Sequence, residues 1–568
     1  MTHAYGAPSL QVRDGKPEGY QTNERGERIR DDYSRLFLGT SPIPPHLPET
    51  ASNGKQISER RLDLLSRLAE KMAAPAVGVD TDNPDIPAGY TYLAQFVAHD
   101  LTFNLTPFDE AKGPARSRRN ARHGRLVLQT LYGGGPTVNP YLYNTPEVGR
   151  SDRGTLRLGQ VRQRTSAFPQ AGDQWIDVPR VRVDTNHNGT CPYSLDGNVQ
   201  RSSLIGNRHE TLTADSRNDD NVIVSQITVL FSILHNAIYN RLDEPSVRAA
   251  LLPHFQEDRM QFRVARDVVT LTYRRIIAND LLKRLLDPEV YAYFVQHGPM
   301  EPDPTSDRGI PLEFSHAAYR VGHAMIRPFY EMNDGVDADA RNLLTLYDSL
   351  ALGSQRLSQD LPLVKDWYAQ WSKFFETANG TPQPSRRIGP HIVSLLGKTY
   401  QFPNEDGPGG ASLPGGLVYR DLVRAEEEGL LTPYALAGHL SAIKGAKFDA
   451  EAYVKDIREK LVGWLSASGF APEDIMELAG APPLTLFILI EAWSGPAEGR
   501  KLGPIGSLVL GEVFFRNLGE SEDVYEKDHH LQQAATTAFG GAAPSSMTEL
   551  IKLIADWSPL EYRPLPIV

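Results

Sequence analysis

Apolar residues recur three and four positions apart along most of this chain, a spacing that predicts a protein built mainly of α-helices. The first such stretch begins near Ser58 and carries Leu62, Leu64, Leu65, Leu68 and Met72. A second, Tyr92-Leu93-Ala94-Gln95-Phe96-Val97-Ala98-His99-Asp100, is apolar except for a glutamine, a histidine and an aspartate. Val222, Ile223, Ile227, Leu230, Ile233, Leu234, Ile238 and Leu242 predict a long amphipathic helix, with Asp219 and Asp220 placed to cap its N-terminus and meet its dipole. Further helices are expected over about 258–286, over 317–325 where Pro328 should stop or kink the run, and over about 433–444, 450–468, 483–493 and 505–518. Strand signals are short and sparse, and no internal repeat is visible. The expected fold class is therefore mainly α, with little β-structure and long irregular loops.

Two regions fall outside this pattern. Residues 1–58 are rich in Pro, Gly, Arg and Ser, which predicts an extended N-terminal arm ahead of one large domain over 59–568. Residues 104–220 carry turn signals such as Gly133-Gly134-Gly135-Pro136 and Asp184-Thr185-Asn186-His187-Asn188-Gly189, and a loop region of that length is usually functional or wrapped around something.

Composition narrows the function classes. A net charge of −11 over 568 residues argues against nucleic acid or an anionic membrane as the default partner. The basic cluster Arg116, Arg118, Arg119, Arg122 and Arg125 lacks interleaved aromatics, so it is expected to be a solvated loop. Cys191 is the single cysteine, which removes intramolecular disulfides and cysteine-based metal clusters. The start, Met1-Thr2-His3-Ala4-Tyr5-Gly6, has no basic and apolar leader, and no unbroken apolar run approaches the ~18 residues of a membrane span. The expectation is a cytoplasmic chain without a membrane span, non-classical export being left open.

The candidate chemistry lies in polar groups set within these helices. Gln95 and His99 are four apart and share a helix face, while Asp100 is rotated by about 100°, so one helix can serve two sites. Arg217 and Asp220 are three apart in Asp215-Ser216-Arg217-Asn218-Asp219-Asp220-Asn221. His323 sits among small residues in Tyr319-Arg320-Val321-Gly322-His323, where Gly322 lets something bulky approach the backbone. Leu417-Val418-Tyr419-Arg420-Asp421-Leu422-Val423-Arg424 is the fourth such segment. Together they suggest a buried planar cofactor with a histidine on each side. Ser441-Ala442-Ile443-Lys444 fits a Ser-x-x-Lys acylase pattern without its companion motifs and is read as chance. His529-His530 is read as a solvated pair, and His235-Asn236 as structural.

In order and in kind, these motifs, with Leu131–Pro136 and Leu502-Gly503-Pro504-Ile505-Gly506, resemble the animal-type haem peroxidases of the peroxidase–cyclooxygenase superfamily, most of all their bacterial members. The resemblance spans roughly residues 85–520. It implies a haem b cofactor with His323 as the axial iron ligand, Arg320 on a propionate, Asp421 hydrogen-bonded to His323, and Asp220 and Arg424 in the cofactor-binding set. It further implies His99 as acid–base, Arg217 as the stabiliser of charge developing during O–O cleavage, and Gln95 holding a distal water. The implied reaction reduces hydrogen peroxide through a ferryl intermediate and oxidises a small organic or halide donor.

Departures from the family pattern carry expectations of their own. Asp421 stands where an asparagine is usual and should make the axial imidazole more electron-rich. Ala98 removes one of the two haem ester links of mammalian members, and Asp220 could form one ester or none. Val127 and Gln129 stand where the family's calcium loop offers oxygen ligands, so a full calcium site is not expected and Asp100 needs another partner, such as an arginine of the nearby cluster. A fatty-acid dioxygenase of the same superfamily is the alternative, weakened because Arg320 stands where its radical-carrying tyrosine would be and Tyr319 lies one residue off. A non-catalytic haem-binding scaffold is the other. Neither the donor nor the oligomeric state follows from these motifs.

Overall fold

The structure is a computed structural model that describes residues 33–37, 57–76, 78–103, 120, 122, 126–145, 153–160, 176–183, 208–251, 260–300, 309–334, 343–345, 363, 367–378, 380–397, 416–525 and 529–557, together with four short strand segments before residue 31. Cys191, Arg116, Arg118, Arg119, Arg125 and the Asp184–Gly189 turn lie outside them. Helices dominate, and every described sheet is a two-stranded antiparallel pair.

Helix α1 (Glu59–Met72) begins where the pattern predicts, because the Ser58 hydroxyl accepts the Arg61 N–H and so satisfies one otherwise bare amide. Helix α2 (Gly89–Leu101) has no side-chain cap and instead docks its first turn on a neighbouring loop, Gly89 N–H donating to the Phe374 carbonyl at 2.9 Å. A Cβ at Gly89 would lie 2.5 Å from the Phe375 ring, so only glycine allows this approach. The strand Asp82–Pro87, paired with Pro384–Arg386, leads directly into it.

Helix α3 (Val222–Arg241) differs from its expectation in two ways. It is buried nearly all round rather than amphipathic, and its cap is Asn221, whose side chain accepts the Val224 N–H at 3.0 Å. Asp219 is drawn away into a buried ion pair with Arg180 at 2.8 Å, which ties the preceding turn to the hairpin Arg180–Val183/Arg208–Thr211. Among the described residues α3 is long and apolar enough to cross a bilayer, but it lies inside the fold. The stretch expected as one helix over about 258–286 is broken: α4 (Met260–Ile276) passes into a π-helical turn, Ile277–Leu281, before Leu282–Leu285. That turn aims Asp280 inward, where it accepts from Tyr90 Oη at 2.7 Å and from the Met547 N–H at 2.9 Å.

The remaining helices used below are α5 (Gly416–Glu427), α6 (Ala450–Ala467), α7 (Leu484–Ser494), α8 (Pro504–Tyr525) and α9 (Met547–Trp557). The core that fixes α2 is aromatic: Phe96 stacks on Phe231 of α3 at 5.4 Å, and Tyr273 of α4 stands edge-on to both. The segment holding His323 is an eight-residue 3-10 helix, Ala318–Met325, not the α-helix expected, and it ends in the extended Ile326 two residues before Pro328. It packs against α2, α7 and α8.

Candidate active site

Two histidines from touching elements are locked in the same sense. His99, in the last turn of α2, places Nδ1 2.9 Å from Asn218 Oδ1. The Asn218 amide is oriented by its own N–H2, which donates to the Thr130 carbonyl at 3.1 Å, so Oδ1 must accept and His99 Nδ1 carries the proton. His99 Nε2 is thereby left unprotonated. Burial, reinforced by the Arg217 charge, lowers the imidazole to about 3, so the ring is neutral at ordinary pH. His323, on the 3-10 helix, donates Nδ1–H to Asp421 Oδ2 of α5 at 2.5 Å. Neither Nε2 makes a hydrogen bond among the described residues. The two elements are bolted together by Tyr319, whose Oη donates to the Ala94 carbonyl of α2 at 2.9 Å.

Arg217 leads a 3-10 turn, Ser216–Asp219, N-capped by Asp215. Its guanidinium is held on one edge: Nε and Nη2 reach Asp215 at 3.0 and 2.6 Å, and Nη2 also donates to the His99 carbonyl at 3.0 Å. Nη1 makes no hydrogen bond among the described residues. Gln95, one turn before His99, accepts from Asn221 Nδ2 at 3.1 Å. The pair Gln95/His99 on α2 therefore meets Asn221/Asn218 on the facing turn. These two asparagines were not singled out in the sequence, although their place inside the Asp215–Asn221 motif is the signal that marks them.

Asp220 follows Arg217 by three residues, as the sequence suggests, and its largely buried carboxyl makes no hydrogen bond or ion pair among the described residues. Burial pushes it up to about 7. Arg320 donates Nε–H to the Ser315 carbonyl at 2.9 Å and holds Nη1 3.7 Å from Asp421 Oδ1, so Asp421 is shared between a cation and an imidazole. Arg424 lies buried one turn beyond Asp421 on α5.

The fit of a haem rests on the space these groups leave. Within an otherwise buried core the side chains of Arg217, His323 and Arg320 stay 27, 24 and 39 % exposed. A Cβ at Gly322 would meet nothing within 4 Å, so the 3-10 helix borders open space on that side. A carboxylate-held histidine with a bare Nε2, beside such space and arginines for acidic substituents, suits an iron porphyrin. Calcium does not fit. Asp100 faces away from His99 as expected, but its carboxylate accepts the Leu128 N–H at 2.8 Å and the Thr130 N–H at 3.2 Å. Leu128 adopts φ +56°, turning successive amides into an anion-binding concavity. Donors rather than oxygen ligands surround Asp100: its hydrogen-bond partners are the amides of this loop, and the charge of Arg122, a member of the basic cluster, favours its ionised form.

Arg122, expected in a solvated loop, is buried, ion-paired with Asp215, and donates Nε–H to the His99 carbonyl at 2.9 Å. His235 is a core histidine, bridging Tyr132 Oη and the Gly154 carbonyl. The Ser441 hydroxyl bonds the Gly438 carbonyl while Lys444 pairs with Glu289 at 2.6 Å, so no Ser–Lys dyad forms.

The sequence model of the animal haem peroxidase family matches residues 178–373. Thyroid peroxidase from Homo sapiens is 31% identical over 226 residues, which is 39% of this chain and 21% of that one. The Canis lupus familiaris protein of the same name is 32% identical over 124 residues, 22% of this chain and 12% of its own length. The chain thus matches only about a fifth or less of the length of these relatives. Peroxidase A from Dictyostelium discoideum shares the fold with a TM-score of 0.52 at 16% identity, over 96% of this chain and 98% of that one. The Oryza sativa fatty acid alpha-dioxygenase does so with a TM-score of 0.52 at 12% identity, over 89% and 80%.

Proposed function

We propose that this chain, whose residues 178–373 match the animal haem peroxidase family and whose fold is that of peroxidase A, is a haem-dependent peroxidase of the peroxidase–cyclooxygenase superfamily acting on hydrogen peroxide and a small organic or halide donor. The observation that carries this reading is the matched tautomer lock, which frees Nε2 on both His99 and His323. Haem bound through His323 Nε2 would supply an iron that takes up peroxide and the electrons that break its O–O bond.

The protein's own part is proton and charge management. His99 Nε2, left unprotonated by the Asn218 contact and by burial, accepts the proton of the inner peroxide oxygen. Because burial lowers the imidazole to about 3, the ring does not retain that proton and delivers it to the outer oxygen, which leaves as water. Arg217 offers Nη1–H to the oxygen that gains negative charge, and the guanidinium keeps its charge throughout. Gln95, oriented by Asn221, positions the ligand or a water beside His99. Asp421 fixes the His323 ring and makes its Nε2 a stronger donor, tempered by Arg320. Haem b would be held without an ester at position 98, where Ala98 has no carboxyl.

Tyr319 Oη is spent on the Ala94 carbonyl, and no observation favours the dioxygenase over the peroxidase. Stopped-flow mixing of haem-loaded protein with peroxide tests the proposal. His99→Ala should slow the Soret change by about 100- to 10,000-fold with the resting spectrum retained. An unaltered rate would remove His99 from the reaction.

A further inference from the structure

Behind His99 and Arg217 lies a group of charges that the reaction as described does not use. Asp215 is fully buried and accepts four hydrogen bonds: the Arg217 N–H, Arg217 Nε and Nη2, and Arg122 Nη2. Both arginines also converge on one acceptor, the His99 carbonyl, at 2.9 Å from Arg122 Nε and 3.0 Å from Arg217 Nη2. That carbonyl belongs to the last turn of α2, where helical carbonyls lack partners and the dipole is negative, so two cations there are favourable. Phe103 closes the group, its ring centroid 4.5 Å from the Arg217 guanidinium carbon and 5.5 Å from that of Arg122. Despite burial, the two guanidiniums hold the Asp215 carboxyl well below the usual carboxylate range, so it is a permanent anion.

An arginine beside an open cavity has several rotamers and a long, flexible stem, and a charge displaced by 1 Å stabilises a transition state poorly. Here one edge of the Arg217 guanidinium is fixed by a carboxylate and a backbone carbonyl, which leaves Nη1 without a hydrogen bond among the described residues. The same carbonyl belongs to His99, so the acid–base residue and the arginine are tied to one atom. We propose that Asp215 and Arg122 are positioning residues that hold His99 and Arg217 as a single preorganised unit. Asp215 sets the guanidinium, and Arg122 fixes both Asp215 and the α2 terminus. This inference rests on the peroxidase reading and adds to it two residues that touch neither peroxide nor haem.

The test uses the full chain loaded with haem and compares Asp215→Asn, Arg122→Gln, Arg122→Lys and Arg217→Lys. Two quantities are read: the second-order rate constant of the Soret change with peroxide, and the affinity of the resting ferric protein for cyanide, which needs the same cation and base but involves no turnover. Asp215→Asn is expected to lower both by about 10- to 100-fold while the resting Soret band is unchanged. Arg122→Gln should lower both less, and Arg122→Lys, which restores a cation to Asp215, should recover most of the loss. If Asp215→Asn fails to fold, the Gln and Lys variants at Arg122 carry the comparison alone. Wild-type rate and cyanide affinity in Asp215→Asn and Arg122→Gln, with Arg217→Lys impaired, would overturn the positioning role and leave the peroxidase reading standing. Wild-type behaviour in Arg217→Lys as well would overturn both. A reduced haem content with wild-type rate constants per haem would make Asp215 and Arg122 structural only and also overturn the proposal.

Discussion

The imidazole of His323 is electronically set by a carboxylate that is itself shared, and this gives the residue-scale predictions their signs. Asp421 accepts from Nδ1 at 2.5 Å while Arg320 Nη1 sits 3.7 Å from its other oxygen. Asp421→Asn removes a negative charge that favours oxidised iron, so the reduction potential of bound haem should shift upward; Arg320→Gln removes a positive charge and should shift it downward. Spectroelectrochemical titration checks both, and an unmoved potential in Asp421→Asn would break the link to His323. Much of this pair was legible in the sequence, because His323 and Asp421 lie in motifs of distinctive order. Asn218 and Asn221 lie within such a motif as well, but polar residues at a turn ordinarily serve as caps, and Asn221 does both. Arg122 was not legible: its partner Asp215 is 93 residues away, and an arginine among arginines in a polar loop gives no local sign of burial.

At the scale of elements, α2 serves two faces, and each has its own support. The His99 face is fixed by the turn over 216–219, and the Asp100 face by the amides of Leu128 and Thr130. A left-handed leucine costs about 1–2 kcal/mol, which the Asp100 clasp and burial of the Leu128 side chain offset. Asp100→Ala leaves two buried N–H groups unpaired and should destabilise the protein by about 2–4 kcal/mol, read by denaturant unfolding. A strong calcium chelator should leave the wild-type melting temperature unchanged, and a fall of several degrees would show a cation where the structure has donors. Helix boundaries set by local chemistry, such as Ser58 before α1, were readable from sequence. The π-turn over 277–281 was not, since its cause is tertiary: Asp280 turns inward to meet Tyr90 and the start of α9. The 3-10 form of Ala318–Met325 was likewise hidden, because the apolar spacing of so short a run does not separate it from an α-helix.

Across the whole molecule, buried titratable groups oppose one another as pH changes. His235 is lowered to about 4 by burial, so its contribution is fully present above the unfolded value near 6.5 and is lost as pH falls toward 4. At pH 5 that loss is about 2 kcal/mol. Glu491 of α7 runs the other way. Burial among Tyr453 of α6 and the first amides of α8 pushes it up to about 7, so its contribution is present below the unfolded value near 4.5 and is lost as pH rises through 7. Glu491→Gln should therefore make stability rise more steeply from pH 5 to pH 8 than in the wild type, as read by melting temperatures across that range; parallel curves would contradict the assignment. The mainly helical architecture was legible because apolar spacing is a local signal, whereas the distribution of buried charge is set by contacts between distant segments. The central claim, that a haem iron sits on His323 Nε2 opposite a neutral His99, is tested most directly by the Soret spectrum of haem-loaded His323→Gly with and without added imidazole. The wild-type band is expected to be lost in His323→Gly and restored by imidazole, whereas a band identical to that of the wild type without imidazole would show that the iron is held by another group.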